Sequence, residues 1–148
     1  MFYYYNNFNT KLFLKIKFHQ KEKTIIRLER IHYPVKIYTK SYEFKPFIDF
    51  FSGRIKSFNF KFRLDKFSEA VKNVLGCLCC IPYGQIVTYS DIAKKVNLHP
   101  RFIGNVCRIN PFPIIIPCHR VISKNGSNFY QWGSERKIFL QNLEKKFI

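Results

Sequence analysis

The apolar residues of this chain repeat with one period up to about residue 64 and with another beyond it. That switch is the strongest constraint on its fold. In KLFLKIKF (11–18), Leu12, Leu14, Ile16 and Phe18 alternate with Lys11, Lys15 and Lys17, the period of two that marks a half-buried strand. TIIRLERI (24–31) alternates again, and PVKIYTK (34–40) offers a third strand. YEFKPFIDFF (42–51) brings Phe44, Phe47, Ile48 and Phe51 onto one helical face ahead of Gly53, and SFNFKFRL (57–64) returns to alternation. From Asp65 onward, Phe67, Ala70, Val71, Val74, Leu75 and Leu78 recur at helical spacing. The expected class is α+β: a small N-terminal domain with a sheet over 1–64, then a mainly helical domain over 65–148.

The second half carries sharper punctuation. Pro82-Tyr83-Gly84 ends the first helix in a turn, and IVTY (86–89) is a short extended stretch. Thr88 and Asp91 have the spacing of a capping box, so a helix begins there and runs to about Val96. Asn97-Leu98-His99 is a tight connection, with His99 read simply as a turn residue. Pro100 suits the first turn of a second helix, which buries Phe102, Ile103 and Val106 and stops at Asn110-Pro111. Two short helices joined by three residues form a helix-turn-helix candidate. FPIIIPCHRVI (112–122) is apolar and too Pro-punctuated for a helix; a Gly/Asn/Ser loop (123–128) and a closing helix (134–146) come after it.

Charge narrows the partner. Twenty-six Lys and Arg against nine Asp and Glu give +17 on 148 residues. Fifteen of those cations and five of the acids lie at or before Lys66. A surplus of that size calls for a polyanion, nucleic acid first and an anionic membrane surface second. No apolar run approaches the ~18 residues needed to span a bilayer, and MFYYYNNFNT lacks the pattern of a signal peptide. Five cysteines, an odd number with Cys77, Cys79 and Cys80 crowded together, make a poor disulfide framework. A reduced, cytoplasmic protein is expected. The C-x-C-C cluster lies on a core helix without a matching ligand pair, so packing rather than zinc is expected there.

Chemistry concentrates in Pro117-Cys118-His119-Arg120-Val121. A free thiol ionises near ~8.5, so a reactive cysteine needs neighbours that favour the anion. A histidine and an arginine in sequence provide them. Adjacent residues of an extended segment face opposite ways, so His119 reaches Cys118 only if the chain bends or a water bridges the two.

These segments together resemble the methylated-DNA-protein-cysteine methyltransferases, the O6-alkylguanine-DNA alkyltransferases. The resemblance rests on IPYGQIVTYSDIAKKV (81–96), PRFIGNVCRINPFPIIIPCHRVI (100–122) and Y-x-W-G-S-x-R-K-x-x-L-x-x-x-E (130–144), and covers residues 43 to 148. It implies a cytoplasmic, monomeric repair protein that flips O6-alkylguanine out of duplex DNA and moves the alkyl group irreversibly to its own cysteine. No metal, cofactor or membrane is implied. By the same resemblance Cys118 is the nucleophile and His119 takes its proton through a water. Glu144 orients His119, and Asn110 ties the second helix to the cysteine loop. DNA contacts fall to Tyr89, Arg101, Gly104, Arg108 and Arg120, with Arg101 filling the vacated stack and Tyr89 turning the nucleotide out. Tyr89, Val121, Tyr130, Gln131 and Trp132 line the alkyl pocket.

Gly104 sits mid-helix at a cost of ~1 kcal/mol against Ala, which approach to a DNA groove or close helix packing explains equally. Trp132 departs from the family, which carries glycine there. An indole either narrows the pocket or swings to the surface, and narrowing is the working expectation. Two other classes compete: a non-catalytic alkyl-lesion-binding protein on the same scaffold, and a regulator using the helix pair alone. The presence of Cys118 argues against both.

Overall fold

A computed structural model describes residues 2–7, 12–19, 24–31, 45–127 and 129–148. The chain divides into two compact units, residues 1–63 and 64–148.

In the first unit, β1 (Phe2–Asn7), β2 (Leu12–His19) and β3 (Thr24–Ile31) form an antiparallel sheet, and β4 (Lys61–Phe62) adds to β3 in parallel. Phe2 stands opposite Lys17 and Lys17 opposite Arg27, with a register shift between Lys17 and Phe18. Strands β2 and β3 fall on the two alternating segments. β1 carries no such signal, because FYYYNN has no polar–apolar alternation for a period-two template to catch; only its tyrosines favour a strand. PVKIYTK and the first residues of the predicted 42–51 helix lie outside the described residues. Of the predicted face Phe44, Phe47, Ile48 and Phe51, helix α1 (Lys45–Phe51) buries Phe47; Phe50 is buried in place of Ile48, which is exposed, Phe51 is half-buried, and Phe44 lies outside the described residues. Phe58 explains the change: its ring centroid lies 5.0 Å from that of Phe47 and 5.0 Å from that of Phe50.

The second unit is helical. Helix α2 (Glu69–Cys79) is N-capped by Ser68 and buries Val71, Val74, Leu75 and Leu78. Cys77, Cys79 and Cys80 lie off that stripe: Cys79 and Cys80 are exposed and Cys77 half-buried, which corrects the expectation that they pack in the core. Helix α3 (Tyr89–Val96) begins with the capping box. Thr88 Oγ1 accepts from Asp91 N at 3.2 Å, and Thr88 N donates back to Asp91 Oδ2 at 2.9 Å. Asn97 then takes the left-handed conformation (φ 52°) that ends the helix. His99 is more than a turn residue. Its Nδ1 accepts from Arg101 N at 3.2 Å and caps α4 (Pro100–Ile109), with Pro100 in the first turn.

Helices α2, α3 and α4 pack on one another, and their Leu78, Ile92, Ile103 and Val106 are essentially without exposure; each contributes roughly 1.5–3 kcal/mol by burial. Phe102, expected inside, is only half-buried, and Cys107 takes the inner position. The stretch after α4 loops through residues 111–117, turns once in 3₁₀ form (Cys118–Arg120) and enters a strand (Val121–Ile122) that pairs in parallel with another at Val87–Thr88. In chain order these are β6 and β5. That pairing sets the cysteine turn beside the start of α3. Helix α5 (Ser134–Lys146) closes the unit against the same turn.

Candidate active site

Asn110 ends α4 and organises the loop after it. Its Nδ2 donates to the Ile116 carbonyl at 2.9 Å and to Cys118 Sγ at 3.1 Å, while its Oδ1 accepts from Phe112 N at 3.0 Å. One buried amide thereby holds both ends of the loop and addresses the sulfur. The loop is a tight, apolar knot. Phe112, Ile114 and Ile116 are fully buried, and Ile116 N donates to the Phe112 carbonyl at 2.8 Å. Ile114 takes a left-handed φ of 77°, a conformation that strains a β-branched residue by roughly 1–3 kcal/mol. Cys118 N donates to the Ile116 carbonyl at 2.8 Å, which bends the chain at Pro117. Cys118 itself is 1% exposed. Burial pushes its thiol up to about 11, against the opposing pull of the Asn110 hydrogen bond. The resting group is therefore a neutral thiol that needs a base to become a nucleophile.

His119 is completely buried, and its Nε2 lies 2.7 Å from Glu144 Oε1. Glu144 also accepts from Arg120 Nε at 2.9 Å, Arg120 Nη2 at 2.9 Å and Gly84 N at 2.9 Å. Burial alone would raise this carboxyl, but the His119 and Arg120 hydrogen bonds outweigh it and hold it at about 2. An ionised carboxylate on Nε2 keeps the proton on that nitrogen and leaves Nδ1 with its lone pair. Nδ1 is buried and has no hydrogen-bond partner among the described residues. Burial lowers His119 below its ordinary value against the pull of Glu144, so the ring rests neutral. Gln141 Nε2 fixes the turn from behind by donating to the His119 carbonyl at 2.8 Å.

Arg120 is expected on DNA from the sequence, and the structure corrects this. It is 6% exposed, with Nη1 2.6 Å from the Ile81 carbonyl and the rest of the guanidinium committed to Glu144. Its physical task is to keep Glu144 charged.

Helix α5 places its contribution by spacing. Lys137, Gln141 and Glu144 recur at intervals of four and three and share one buried face with Leu140. Sequence reasoning misses Lys137 and Gln141. Lys137 has no exposure; its Nζ donates to the Phe129 carbonyl at 3.1 Å and lies 5.8 Å from the Tyr89 ring centroid. Burial lowers its pKa, and the neighbouring Cys107 and Cys118 sulfurs oppose that shift. The interval of seven to Glu144 is the only sequence signal that could find it.

The other predicted residues fall into two groups. Around the sulfur, Tyr89 is half-buried, with burial first and then Cys107 and Cys118 pushing its phenol up to about 12. Burial and the same sulfurs raise Tyr130. Trp132 is 8% exposed and meets the Tyr130 ring edge-on at 6.2 Å, so the indole does not swing to the surface. Val121 is buried in β6, and Gln131 Nε2 donates to the Asn110 carbonyl at 3.0 Å, pinning its own loop to the end of α4. Apart from this group, Arg101 and Arg108 are exposed on α4. A Cβ placed on Gly104 meets nothing within 4 Å, so close helix packing does not explain that glycine.

A buried thiol, a histidine clamped by a carboxylate and an amide on the sulfur make an arrangement that can serve a cysteine nucleophile in group transfer. Residues 69–146 match the family model for the 6-O-methylguanine DNA methyltransferase, DNA binding domain, and the chain belongs to that family. The methylated-DNA–protein-cysteine methyltransferase of Methanocaldococcus jannaschii is 44% identical over 77 residues, covering 52% of this chain and 46% of that protein. The inducible methylated-DNA–protein-cysteine methyltransferase of Bacillus subtilis is 49% identical over 76 residues, covering 49% and 42%. The matched stretch thus spans about half the length of these relatives. In fold, the chain is similar to Mycobacterium tuberculosis OGT, whose crystal structure is in complex with DNA. The TM-score is 0.80 at 24% identity, over 97% of this chain and 92% of that one. Among the described residues no helix is long and apolar enough to cross a membrane.

Proposed function

We propose that this chain repairs O6-alkylguanine in duplex DNA by transferring the alkyl group to Cys118, once per molecule. The observation that carries this reading is the buried relay itself: a thiol pushed up to about 11, beside a neutral histidine whose Nε2 is held by a carboxylate kept at about 2. His119 Nδ1 accepts the thiol proton through a bridging water, and Glu144 stabilises the resulting imidazolium. Cys118 Sγ attacks the alkyl carbon, the carbon–O6 bond breaks, and the guanine leaves with its electron pair as an anion that takes a proton from solvent, while the imidazolium returns its proton to solvent. The product is a thioether with no leaving group, so the protein is consumed stoichiometrically. Tyr89 keeps its proton at neutral pH and serves as a hydrogen-bond donor to the base. The reading needs no metal or organic cofactor.

In the same reading α3 and α4 act as a helix-turn-helix, with α4 entering a groove and the protein acting as a monomer in the cytoplasm. Arg101 and Arg108 face outward, and the open space at Gly104 lets backbone approach DNA. The charge of +17 supports phosphate contacts. Residues 1–64 form the accessory domain and 65–148 the reactive one. The test is intact mass after incubation with duplex DNA carrying O6-methylguanine. A gain of one methyl, mapped to Cys118, is expected. Binding without a mass change would make the chain a non-catalytic lesion binder and overturn the proposal.

A further inference from the structure

Phe129 is 83% exposed, and over residues 45–127 and 129–148 it is the one aromatic among the large apolar residues left in solvent. It stands where the wall of the cysteine site meets the surface. Its carbonyl accepts from the buried Lys137 ammonium at 3.1 Å, and that ammonium is close enough to Cys118 and Cys107 to influence both. The next residue, Tyr130, has its hydroxyl buried toward the same sulfurs. Neighbouring side chains of a non-helical segment point apart: Tyr130 faces the nucleophile and Phe129 faces out. The segment is pinned on both sides of Tyr130, by Lys137 on the Phe129 carbonyl and by the Gln131 amide on the Asn110 carbonyl at 3.0 Å. A ring held out from an anchored backbone is presented at little conformational cost on binding. Lys124, exposed on the preceding loop, and the chain's charge of +17 favour a polyanionic strand.

We infer that Phe129 is a stacking platform for the nucleotide that flanks the extruded alkylguanine on the same strand. The inference rests on the repair reading and adds a binding subsite to it. A base next to an extruded one has lost a stacking partner, and an aromatic ring accepts any base through its π-face, so the subsite is sequence-tolerant. This sets Phe129 apart from Arg101, whose proposed place inside the duplex stack exists only when a second strand is present.

Three substrates separate the possibilities: O6-methylguanine as free base, in a single-stranded oligonucleotide and in a duplex. Methyl-transfer rate constants are measured for the parent, Phe129→Ala and Phe129→Trp, with melting temperatures alongside. Phe129→Ala should slow transfer about ten-fold on single strand and duplex alike, the usual scale for a lost base–aromatic stack, and leave the free base unaffected. Phe129→Trp should stay within about two-fold of the parent on all three, because the π-face is retained. Melting temperatures should match, since the ring is already in solvent. A Phe129→Ala variant equal to the parent on both oligonucleotides overturns the inference. So does equal slowing on the free base, which would place the ring inside the alkyl pocket. A parent that never methylates Cys118 sinks the repair reading itself, a result visible before any variant is made.

Discussion

Helices α4 and α5 both reach the Cys118 turn, and they bury opposite chemistry. Helix α4 turns Ile103, Val106 and Cys107 inward and leaves Arg101 and Arg108 in solvent. Helix α5 turns Lys137, Gln141 and Glu144 inward beside Leu140 and leaves Ile138 43% exposed. The first is an ordinary amphipathic helix, whose inner face is packing and whose outer face is available to a partner. The second is inverted. Buried charge is expensive unless it is paired, and each of these three inward polar groups has its partner: His119, Arg120 and Gly84 for Glu144, the Phe129 carbonyl for Lys137, the His119 carbonyl for Gln141. Under the proposed function, stability and chemistry are therefore carried by the same atoms on α5, whereas the outer face of α4 bears on binding alone. Substitutions that separate these properties test the contrast.

The largest effect belongs to the sulfur between the two helices. Cys118→Ser should abolish alkyl transfer, because a buried hydroxyl is a far weaker nucleophile than a thiolate, and should leave duplex affinity within about two-fold, since phosphate contacts are made elsewhere. Gel-shift titration together with intact mass checks both. Loss of binding in step with transfer would mean that the sulfur loop builds the DNA face.

Glu144→Gln is the next break. It removes the charge that fixes the His119 tautomer and leaves Arg120 buried without a counter-ion. Transfer should fall about a hundred-fold, the lower range for a general base. Stability should also fall, and its sign comes from the pKa. A carboxyl held at about 2 in the fold, against an ordinary 4.5, favours the folded state at pH values above the ordinary one. That contribution, about 3 kcal/mol, is lost as the pH drops through 4.5 toward 2. Chemical denaturation of the parent across the acid range should show this decline, and Glu144→Gln should show a flatter one. Identical acid profiles would remove Glu144 from the set of charged, paired groups.

The same contrast explains what is legible in the sequence. The capping box at Thr88 and Asp91, Pro100 and the apolar rhythm of α2 are local signals, and α2, α3 and α4 fall where they point. Cys118 and His119 announce themselves through an unusual pairing of residue types. The inner face of α5 does not: one leucine among Lys137, Gln141 and Glu144 makes no apolar stripe, and only the resemblance singles out Glu144. Arg120 misleads for a related reason. The resemblance places it on DNA, and nothing local says that a carboxylate 24 residues later will enclose it. β1 escapes because its residues do not alternate, and Ile48 because the Phe58 ring that redirects α1 comes from a later segment.

On α4, Arg101 is the exposed counterpart to Arg120. Arg101→Ala should slow transfer on duplex DNA about thirty-fold, since extruding a stacked base costs a few kcal/mol and the arginine is proposed to recover part of it. Transfer from the free base should be unchanged and the melting temperature within a degree or so of the parent's. Equal slowing on both substrates would make the residue structural, and α4 would then resemble α5 after all.

The smallest effect lies at Trp132, where α5 begins. The indole is 8% exposed and edge-on to Tyr130, whose hydroxyl is buried toward Cys118, so in the proposed reading its bulk would narrow the space for the alkyl group. Benzyl groups should therefore react more slowly than methyl in the parent, and Trp132→Gly should raise the benzyl-to-methyl ratio about five-fold, within the range by which pocket volume discriminates. Emptying a buried indole site also destabilises the fold, by roughly 3–5 kcal/mol, which would confound any single rate. A ratio of two rate constants measured on one preparation does not have that weakness, because the folded fraction enters both and cancels. If the ratio is unchanged in Trp132→Gly, or benzyl transfer is already as fast as methyl in the parent, the indole packs beside the pocket without narrowing it. Its burial would then belong with the apolar packing behind α4 rather than with the reactive face of α5.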